Sequence, residues 1–275
     1  MRLAASVILY KHDDTIYRNI SSYIQVVDKM LVFDNSENPN FDQNLIHSDK
    51  IVYYSDRNNQ GIAHRLNQAI LYCINNNYSH LLTMDQDSSF TDNALANYIQ
   101  LIKDNNDINI GMFGVCYDET SKVEHNEINK ILITSGSIIN ISLAEKIGNF
   151  DENIFIDGVD TDFCIRLFQN EYKTILYHKI KIKHSLGETK KVITPYLKKS
   201  KRAVHSSTRI YYLIRNNLYL RVKHPNHHHC LKWGNILNEI KNALLYGDER
   251  AITIRAIFAA RKDFKNKCFG KLIQS

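Results

Sequence analysis

The chain has 275 residues, of which 44% are hydrophobic and 23% are charged, as is typical of a folded globular protein and not of a disordered one. No stretch approaches the ~20 consecutive apolar residues that cross a bilayer, so we do not expect an integral membrane protein. The five cysteines are scattered and form no CxxC pair, which favours a reduced cytoplasmic protein over a disulfide or zinc framework.

Lysine and arginine number 35 against 29 acidic residues, a net charge of +6, but the two parts of the chain differ in sign. Residues 1–175 carry 13 basic and 24 acidic side chains, for a net charge of −11. Residues 176–275 carry 22 basic and 5 acidic ones, for a net charge of +17. This asymmetry predicts a basic C-terminal part that meets an anionic partner.

The first 115 residues alternate short apolar runs with amphipathic stretches. The apolar runs predict strands at Ala4–Leu9, Met30–Phe33, Ile51–Tyr54, His80–Met84 and Ile110–Val115. Between them, residues 61–77 have the clearest helical pattern in the chain. Strands that alternate with helices predict an α/β fold of the Rossmann-like type, with a mixed, mostly parallel sheet flanked by helices.

Residues 116–190 read as a continuation of this domain. The predicted elements are a strand at Leu132–Ile141, a helix capped by Ser142, a helix at Asp160–Asn170 and strands at residues 174–177 and 180–184. Gly136 inside the first of these strands indicates a bulge or the close approach of a ligand. From about residue 190 the pattern is helical and basic, so we expect one α/β domain of residues 1–195 and a helical extension of residues 196–275.

Polar side chains follow four predicted strands at the points where the strands end. They are, in chain order, Lys11-His12, Asp34-Asn35-Ser36, Asp56-Arg57-Asn58 and Asp85-Gln86-Asp87. Ligands of such sheets bind beyond the carboxyl ends of the strands. One such group alone is typical of a turn or a helix cap, whereas four in one chain favour a binding site.

Two groups of acids are candidates for chemistry. Asp85 and Asp87 are two residues apart at a strand end, which puts both carboxylates on one side of an extended backbone and suits Mg²⁺ or Mn²⁺; a solvated turn is the alternative. Asp157, Asp160 and Asp162 lie at the start of a predicted helix. One helix cap needs one acid, so this group favours a general base that faces a cleft, with capping as the alternative.

The segment Asn58–Asn67 leads into the helix of residues 61–77. Unpaired backbone N–H groups and the positive end of the helix dipole bind anions at such a start, and Arg65 lies in the first turns. The segment contains neither GxxxxGK[ST] nor GxGxxG, which excludes a P-loop and a dinucleotide fingerprint.

In order and over nearly the whole chain, these segments resemble the family-two glycosyltransferases with the GT-A fold, especially the bacterial rhamnosyltransferase-like branch. The matching segments are Asp34–Ser36, Asn58–Asn67, Leu82–Ser88, Thr134–Gly136, Ile147–Arg166, His184–Gly187 and Arg209–Asn216. The resemblance implies an inverting, metal-dependent enzyme of cell-surface polysaccharide synthesis, with residues 1–195 as its GT-A catalytic domain.

The same resemblance implies a role for each candidate residue. The nucleotide-sugar donor would be bound by Leu9, Tyr10, Asp34, Asn58, Arg65 and Asp85. Mg²⁺ or Mn²⁺ would be held by Asp87, Asp85 and His184, the catalytic base would be Asp160, and the acceptor would be bound by Ser135, Gly136 and Asp162. The rhamnosyltransferase-like sequence of Phe155–Cys164 favours dTDP-L-rhamnose as the donor, with UDP-hexoses or UDP-galactofuranose as alternatives.

The last hundred residues contain basic amphipathic patterns, at Arg209–Arg221, residues 233–244 and Ala251–Phe264. Such helices lie at anionic membrane surfaces, or they pack on the domain with a solvated basic face. Because enzymes of the related family act on lipid-linked acceptors, we expect a cytoplasmic protein on the inner face of the plasma membrane that uses a glycan or polyprenyl-diphosphate-linked acceptor. The consecutive His227–His229 cannot converge on one ion and predict a polar loop.

Two other classes fit parts of the sequence. A sugar nucleotidyltransferase shares the sheet and the metal carboxylates, but its Gly-rich N-terminal signature is absent from Ala4–Asp14. A basic nucleic-acid-binding module would use the +17 region with Tyr211, Tyr212 and Tyr219 as stacking groups, but it leaves the acidic first part unexplained. We therefore expect a nucleotide sugar, and not a nucleic acid, as the partner.

Overall fold

The computed structural model describes residues 1–91, 93–117, 121–184, 189–193, 199–231 and 233–272, with the backbone alone at 189–193, 199 and 200. Two units divide the chain: the first comprises Met1–Glu152 and Asp160–Ser185, and the second Asn153–Val159 and Leu186–Ser275. The predicted boundary between residues 195 and 196 lies outside the described residues and stays a prediction, and residues 185–187 of the resemblance lie outside them as well.

The described part of the first unit contains nine strands, five α-helices and a 3₁₀ helix at Gln43–Ile46. The strands are β1 (Leu3–Leu9), β2 (Lys29–Asp34), β3 (Ile51–Ser55), β4 (His80–Asp85), β5 (Ser88–Phe90), β6 (Ile110–Cys116), β7 (Glu127–Ile128), β8 (Ser137–Asn140) and β9 (Lys173–His184). The helices are α1 (Thr15–Ser21), α2 (Ile62–Asn75), α3 (Ala94–Lys103), α4 (Ile141–Lys146) and α5 (Val159–Gln169).

These strands form one sheet in the order β3-β2-β1-β4-β8-β6-β9-β5, with β7 paired to β9. Strand β1 runs parallel to β2 and β4, and β2 runs parallel to β3. Strand β8 is antiparallel to β4 and β6, whereas β6 and β9 are again parallel. The sheet is mixed, mostly parallel and flanked by helices, which confirms the predicted α/β fold of the GT-A type.

The central strands are buried along their whole length. Every residue of β6 and six of the seven residues of β1 are buried. Because both faces of these strands are covered, their sequences are continuous apolar runs and do not alternate. Helix α2 buries one stripe, which includes Leu66, Ala69, Ile70 and Cys73, as its 3.6-residue periodicity predicts.

The register of the parallel strands brings their polar ends together. Leu9 of β1 pairs with Asp34 of β2, which pairs with Ser55 of β3. On the other side of β1, Ile8 pairs with Asp85 of β4. The four carboxyl ends therefore lie in a row at one edge of the sheet, as expected for a binding edge.

The strand predicted at Leu132–Ile141 is shorter in the structure, where β8 spans only Ser137–Asn140. Gly136 lies in the turn before it with a left-handed φ of 74°, a conformation that favours glycine. A Cβ at this position would lie 2.6 Å from a methyl carbon of Val115 and 2.9 Å from one of Ile182. Close packing against the core thus accounts for this glycine, and the close approach of a ligand is not needed to explain it.

Two further elements differ from their predictions. The cap of α4 is Asn140, whose side chain accepts a hydrogen bond from the Leu143 N–H, and not Ser142. The two strands predicted within residues 174–184 are one strand, β9, whose pairing with β6 shifts register after Tyr177. A period-two pattern interrupted by such a bulge reads in the sequence as two separate strands.

In the second unit, the first described elements after residue 186 are β10 (Thr189–Ile193) and β11 (Lys199–Ala203), which form an antiparallel hairpin. Helices α6 (Ser207–Lys223), α7 (Trp233–Tyr246) and α8 (Arg250–Lys265) follow, with a 3₁₀ helix at Pro225–Cys230. The prediction of a purely helical region from residue 190 is wrong for the hairpin, because its lysine-rich strands hold few apolar residues that could reveal a period of two. No helix in the described residues is long and apolar enough to cross a membrane.

Candidate active site

The end of β2 holds a buried carboxylate. Asp34 is fully buried, with Oδ1 accepting a hydrogen bond from the Ser36 N–H at 2.9 Å and Oδ2 accepting one from the Tyr53 hydroxyl at 3.0 Å. Burial and the Asp34 charge raise the pKa of Tyr53 to about 12. The Asn35 N–H donates to the Leu9 carbonyl oxygen at 2.8 Å, which fixes the end of β1 against the end of β2.

Gln86, the residue between the two acids of the Asp85–Asp87 pair, ties β4 to β1. Its side-chain oxygen accepts a hydrogen bond from the Tyr10 N–H at 2.8 Å, and its side-chain nitrogen donates to the Tyr10 carbonyl at 3.3 Å. Asn19 donates to the Gln86 carbonyl at 2.8 Å. Tyr10 is 40% exposed, and the Lys11 ammonium lies 5.1 Å from the centroid of its ring. The role of Gln86 depends on strand register and therefore has no signal in the local sequence.

The Arg65 side chain is almost completely buried on α2. Its guanidinium donates to the Asn35 side-chain oxygen at 2.7 Å, to Asp56 at 2.6 Å and to Gln68 at 2.9 Å. Burial raises the pKa of Asp56, but hydrogen bonds from Arg65 and Gln60 outweigh this effect and hold that pKa below its usual value. Arg65 therefore braces the loop after β3, and its predicted contact with the donor stays a prediction.

The anion site predicted at the start of α2 is already partly used by the protein. The Gly61 N–H donates to the Asn59 side chain at 3.0 Å, and the Gln60 N–H donates to the Asn35 side chain at 3.3 Å. Gly61 has a φ of 82° at this turn, which is a conformation that favours glycine. These two N–H groups shape the loop that contains Asn58.

Asp85, Asp87 and His184 come together at the carboxyl edge of the sheet. Each offers one ligand atom, and these atoms lie within 4.8 Å of one another. Nδ1 of His184 lies 3.4 Å from a carboxylate oxygen of Asp87, and a hydrogen bond to this acid raises the pKa of the imidazole more than burial lowers it. The antiparallel pairing of β5 with β9 places Ser88 opposite His184, which is 96 residues later in the sequence, and so brings His184 to the two acids.

This donor set fits a divalent cation. Carboxylate oxygens are the preferred ligands of Mg²⁺, and imidazole nitrogen is added readily in sites for first-row metals such as Mn²⁺. A cation on so few protein groups keeps open positions for the phosphates of a substrate. The cluster therefore has the composition expected of a metal site that is completed by a diphosphate.

A chain of hydrogen bonds supports the cluster from the buried side. The Asp85 N–H donates to the Ser135 hydroxyl at 3.3 Å, and that hydroxyl donates to the Ser88 hydroxyl at 2.7 Å. The Ser88 oxygen lies 2.7 Å from Nδ1 of His184. Ser135 and Ser88 are both buried, so Ser135 supports the acids, and its predicted contact with the acceptor stays a prediction. Ser88 was missed because only the pairing of β5 with β9 brings it here.

The two acids at the start of α5 lie in different environments. Asp160 is partly exposed in the first turn and accepts a hydrogen bond from the Thr161 N–H at 2.7 Å. Asp162 is fully buried and accepts one from Nε of Arg166, one turn later, at 2.7 Å. Arg166 also donates to the Ile147 carbonyl at 2.7 Å. Asp162 thus helps, through Arg166, to join α5 to the loop after α4, and its predicted contact with the acceptor stays a prediction.

The third acid of this motif, Asp157, belongs to the second unit. It has a left-handed φ of 59°, and its carboxylate accepts a hydrogen bond from Arg209 of α6 at 3.1 Å. Burial raises the pKa of Asp157, against the opposite effect of the Arg209 guanidinium. The Asn216 side chain donates to the carbonyls of Ile156 and Asp157, at 2.6 and 3.1 Å. The segment Arg209–Asn216 therefore holds this turn in place.

The family model for glycosyl transferase family 2 matches residues 6–168, which is more than half of the chain. The chain therefore belongs to that family. It is therefore a glycosyltransferase. It is 25% identical over 218 residues to the dTDP-rhamnosyl transferase RfbF of Shigella flexneri, an alignment that covers 71% of each chain. Among solved structures, A197 from STIV has a TM-score of 0.44 at 11% identity, covering 74% of this chain and 96% of that one, which is too distant to bear on the fold.

Proposed function

We propose that the protein transfers L-rhamnose from dTDP-L-rhamnose to a glycan or a lipid-linked saccharide, with inversion at the anomeric carbon and with Mg²⁺ or Mn²⁺ as the cofactor. The observation that carries this proposal is the Asp85–Asp87–His184 cluster at the carboxyl edge of a family 2 glycosyltransferase. The relative named for dTDP-rhamnosyl transfer supports this choice of donor over UDP-hexoses and UDP-galactofuranose.

The nucleoside of the donor would lie at the ends of β1 and β2. Leu9 and Asp34 are paired there, and the exposed ring of Tyr10 follows directly. Asp34 is held by Ser36 and Tyr53, so its carboxylate has one orientation before the donor binds. A carboxylate that is already oriented can accept hydrogen bonds from hydroxyl or N–H groups of a ligand at a low cost in conformational entropy.

The diphosphate of the donor would lie at the acid cluster. Asp87, Asp85 and His184 would hold the divalent cation, which when bound supplies positive charge that stabilises the departing nucleoside diphosphate. Ser88 and Ser135 keep these groups in place through their buried hydrogen bonds.

The acceptor hydroxyl is a poor nucleophile and needs a base. We assign this role to Asp160, which is partly exposed at the start of α5, whereas Asp162 is committed to Arg166. Removal of the hydroxyl proton while the oxygen attacks the anomeric carbon from the face opposite the diphosphate inverts the configuration. A single displacement needs no covalent intermediate on the enzyme.

The acceptor would be a glycan or a polyprenyl-diphosphate-linked saccharide at the inner face of the plasma membrane. The +17 charge of residues 176–275 supports peripheral contact of a cytoplasmic protein with anionic lipid.

A panel of donors tests the proposal. Purified protein is incubated with dTDP-L-rhamnose, UDP-glucose or UDP-galactofuranose, with Mn²⁺, Mg²⁺ or a chelator, and release of the nucleoside diphosphate is measured. We expect release from dTDP-L-rhamnose that requires the metal. Preferential turnover of a UDP-sugar would contradict the donor, activity in chelator would contradict the metal site, and formation of a nucleotide sugar from dTTP and a sugar phosphate would support a nucleotidyltransferase.

A further inference from the structure

Helix α8 of the second unit presents one continuous exposed face. Seven of its nine exposed residues recur at spacings of three and four, which places them on one side of the helix. They are Ala251, Ile254, Arg255, Phe258, Arg261, Lys262 and Lys265, and we call this set the α8 face. The other side of the helix is buried: Ala260 lies in the core of the unit, and Asp263 accepts a hydrogen bond from Tyr211 at 2.7 Å.

The centre of the α8 face is apolar. Phe258 is 66% exposed and Ile254, one turn before it, is 47% exposed. Single exposed apolar residues are common on protein surfaces and need no explanation. Two of them in line on one helix, within a frame of basic residues, form a pattern typical of helices that lie in a membrane interface.

The rest of the face is positively charged. Arg255, Arg261, Lys262 and Lys265 carry four positive charges, and the acid of the last two turns, Asp263, points to the buried side. Among the described residues of the second unit, ion pairs join other groups, such as Arg209 and Asp157. A cleft of about 540 Å³ is lined by Phe258, Arg261, Lys262, Lys265 and Asn266.

We propose that the α8 face binds the surface of an anionic phospholipid bilayer, with Phe258 and Ile254 entering the headgroup region and the four basic side chains meeting lipid phosphates. The inference rests on the membrane contact proposed above and names the surface that makes it. Nucleic acid fits this face less well, because single strands are bound by several stacking rings along a basic groove, and the α8 face has one ring and an aliphatic neighbour.

Vesicle sedimentation of the full chain tests the charge of the face. We expect binding to mixed vesicles of phosphatidylcholine and phosphatidylglycerol that weakens with salt, and no binding to phosphatidylcholine alone. The double variant Lys262→Gln, Lys265→Gln should bind roughly 20-fold more weakly, at about fivefold for each charge. The matched control is Lys103→Gln, Lys146→Gln, which also removes two lysines from the last turns of helices and should bind like the wild type.

A second set of variants tests the apolar centre. Phe258→Ser should weaken binding to the mixed vesicles by roughly tenfold, because the ring would no longer be removed from water. Leu71→Ser, at an exposed position of α2, is the control and should have no effect. In Phe258→Trp, the indole emission should shift to the blue when mixed vesicles are added, as expected for a ring that enters the interface.

Several outcomes would overturn the proposal. They are a wild-type chain that does not bind mixed vesicles, equal losses in the lysine pair and its control, an unshifted emission of Phe258→Trp, and tight binding to duplex RNA that only the α8 variants lose. Release of nucleoside diphosphate without vesicles should be unchanged in these variants. A chain that binds vesicles through α8 but turns over no nucleotide sugar would contradict the proposed donor and leave the α8 face standing.

Discussion

Two sets of basic side chains, one in each unit, lie in different surroundings. In the first unit, Arg65 and Arg166 are largely buried, and each guanidinium donates to a carboxylate and to other oxygens. In the second unit, the basic residues of the α8 face are exposed to solvent. Charges of the first kind position loops and helices around a site, whereas charges of the second kind are available to a partner.

The strongest test on the first unit concerns the base. Asp160→Asn should lower kcat by about 10²–10⁴-fold, because the acceptor hydroxyl would lose its proton acceptor, while the donor should bind as before. Turnover with a saccharide acceptor and equilibrium binding of dTDP-L-rhamnose measure the two effects. Asp104→Asn, an exposed acid after α3, is the control, and wild-type turnover in Asp160→Asn would contradict the assignment.

The next largest effect is expected at the acid cluster. Asp87→Asn should lower turnover by about 100-fold, since it would remove a charged ligand from the cation site that we propose stabilises the leaving diphosphate. Binding of Mn²⁺, followed by electron paramagnetic resonance, should weaken in parallel and gives a readout that does not depend on catalysis. The exposed Asp49→Asn should change neither quantity, and unaltered Mn²⁺ binding in Asp87→Asn would exclude this metal site.

A variant of Arg65 tests how much a buried, hydrogen-bonded guanidinium contributes to stability. Arg65→Met should lower the free energy of unfolding by about 2 kcal/mol, because it removes the donor of hydrogen bonds to Asn35, Asp56 and Gln68. Urea unfolding measures the change, with the exposed Arg18→Met as the reference. Equal stability of the two variants would show that Arg65 does not brace this loop.

A variant of Ser88 tests whether hydrogen bonds behind the proposed metal ligands contribute to metal affinity. Ser88→Ala should weaken Mn²⁺ binding by about tenfold, because groups behind metal ligands typically contribute on this scale. Ser89→Ala, at the neighbouring residue, should leave the affinity unchanged. A similar loss in both variants would point to a general disturbance of β5 and against the chain of hydrogen bonds through Ser135.

The smallest effect is expected on the α8 face. Arg261→Met should change the free energy of unfolding by less than about 0.5 kcal/mol, as is usual for exposed residues away from special contacts. The contrast with Arg65→Met in the same urea experiment measures how far the two kinds of charge differ. A loss from Arg261→Met as large as that from Arg65→Met would break the comparison.

The sheet and its binding edge were predictable because their signals are local. Buried parallel strands are continuous apolar runs, and the register of neighbouring parallel strands brings their final residues to one edge, so Asp34 and Asp85 could be placed from the sequence. The hairpin of β10 and β11 could not, because its lysine-rich strands have almost no hydrophobic pattern, and their backbone pairing leaves no mark on composition.

The site was less predictable where it depends on contacts between distant segments. The roles of Ser88 and Ser135 follow from pairing of β5 with β9 and from the turn at Gly136, neither of which a local pattern specifies. The different surroundings of Asp160 and Asp162, by contrast, do have a local signal in the sequence. Arg166 lies four residues after Asp162 but six after Asp160, and only the spacing of four allows an ion pair along a helix.

The bridge from Gln86 to Tyr10 has a consequence for the thermodynamics of ligand binding. A turn that carries two carboxylates would ordinarily sample many backbone conformations, and a ligand would lose free energy in restricting them. Here the middle residue of the turn is hydrogen-bonded to Tyr10 and Asn19 as part of the fold. The conformational entropy of the motif is therefore lost when the chain folds and not when a ligand arrives.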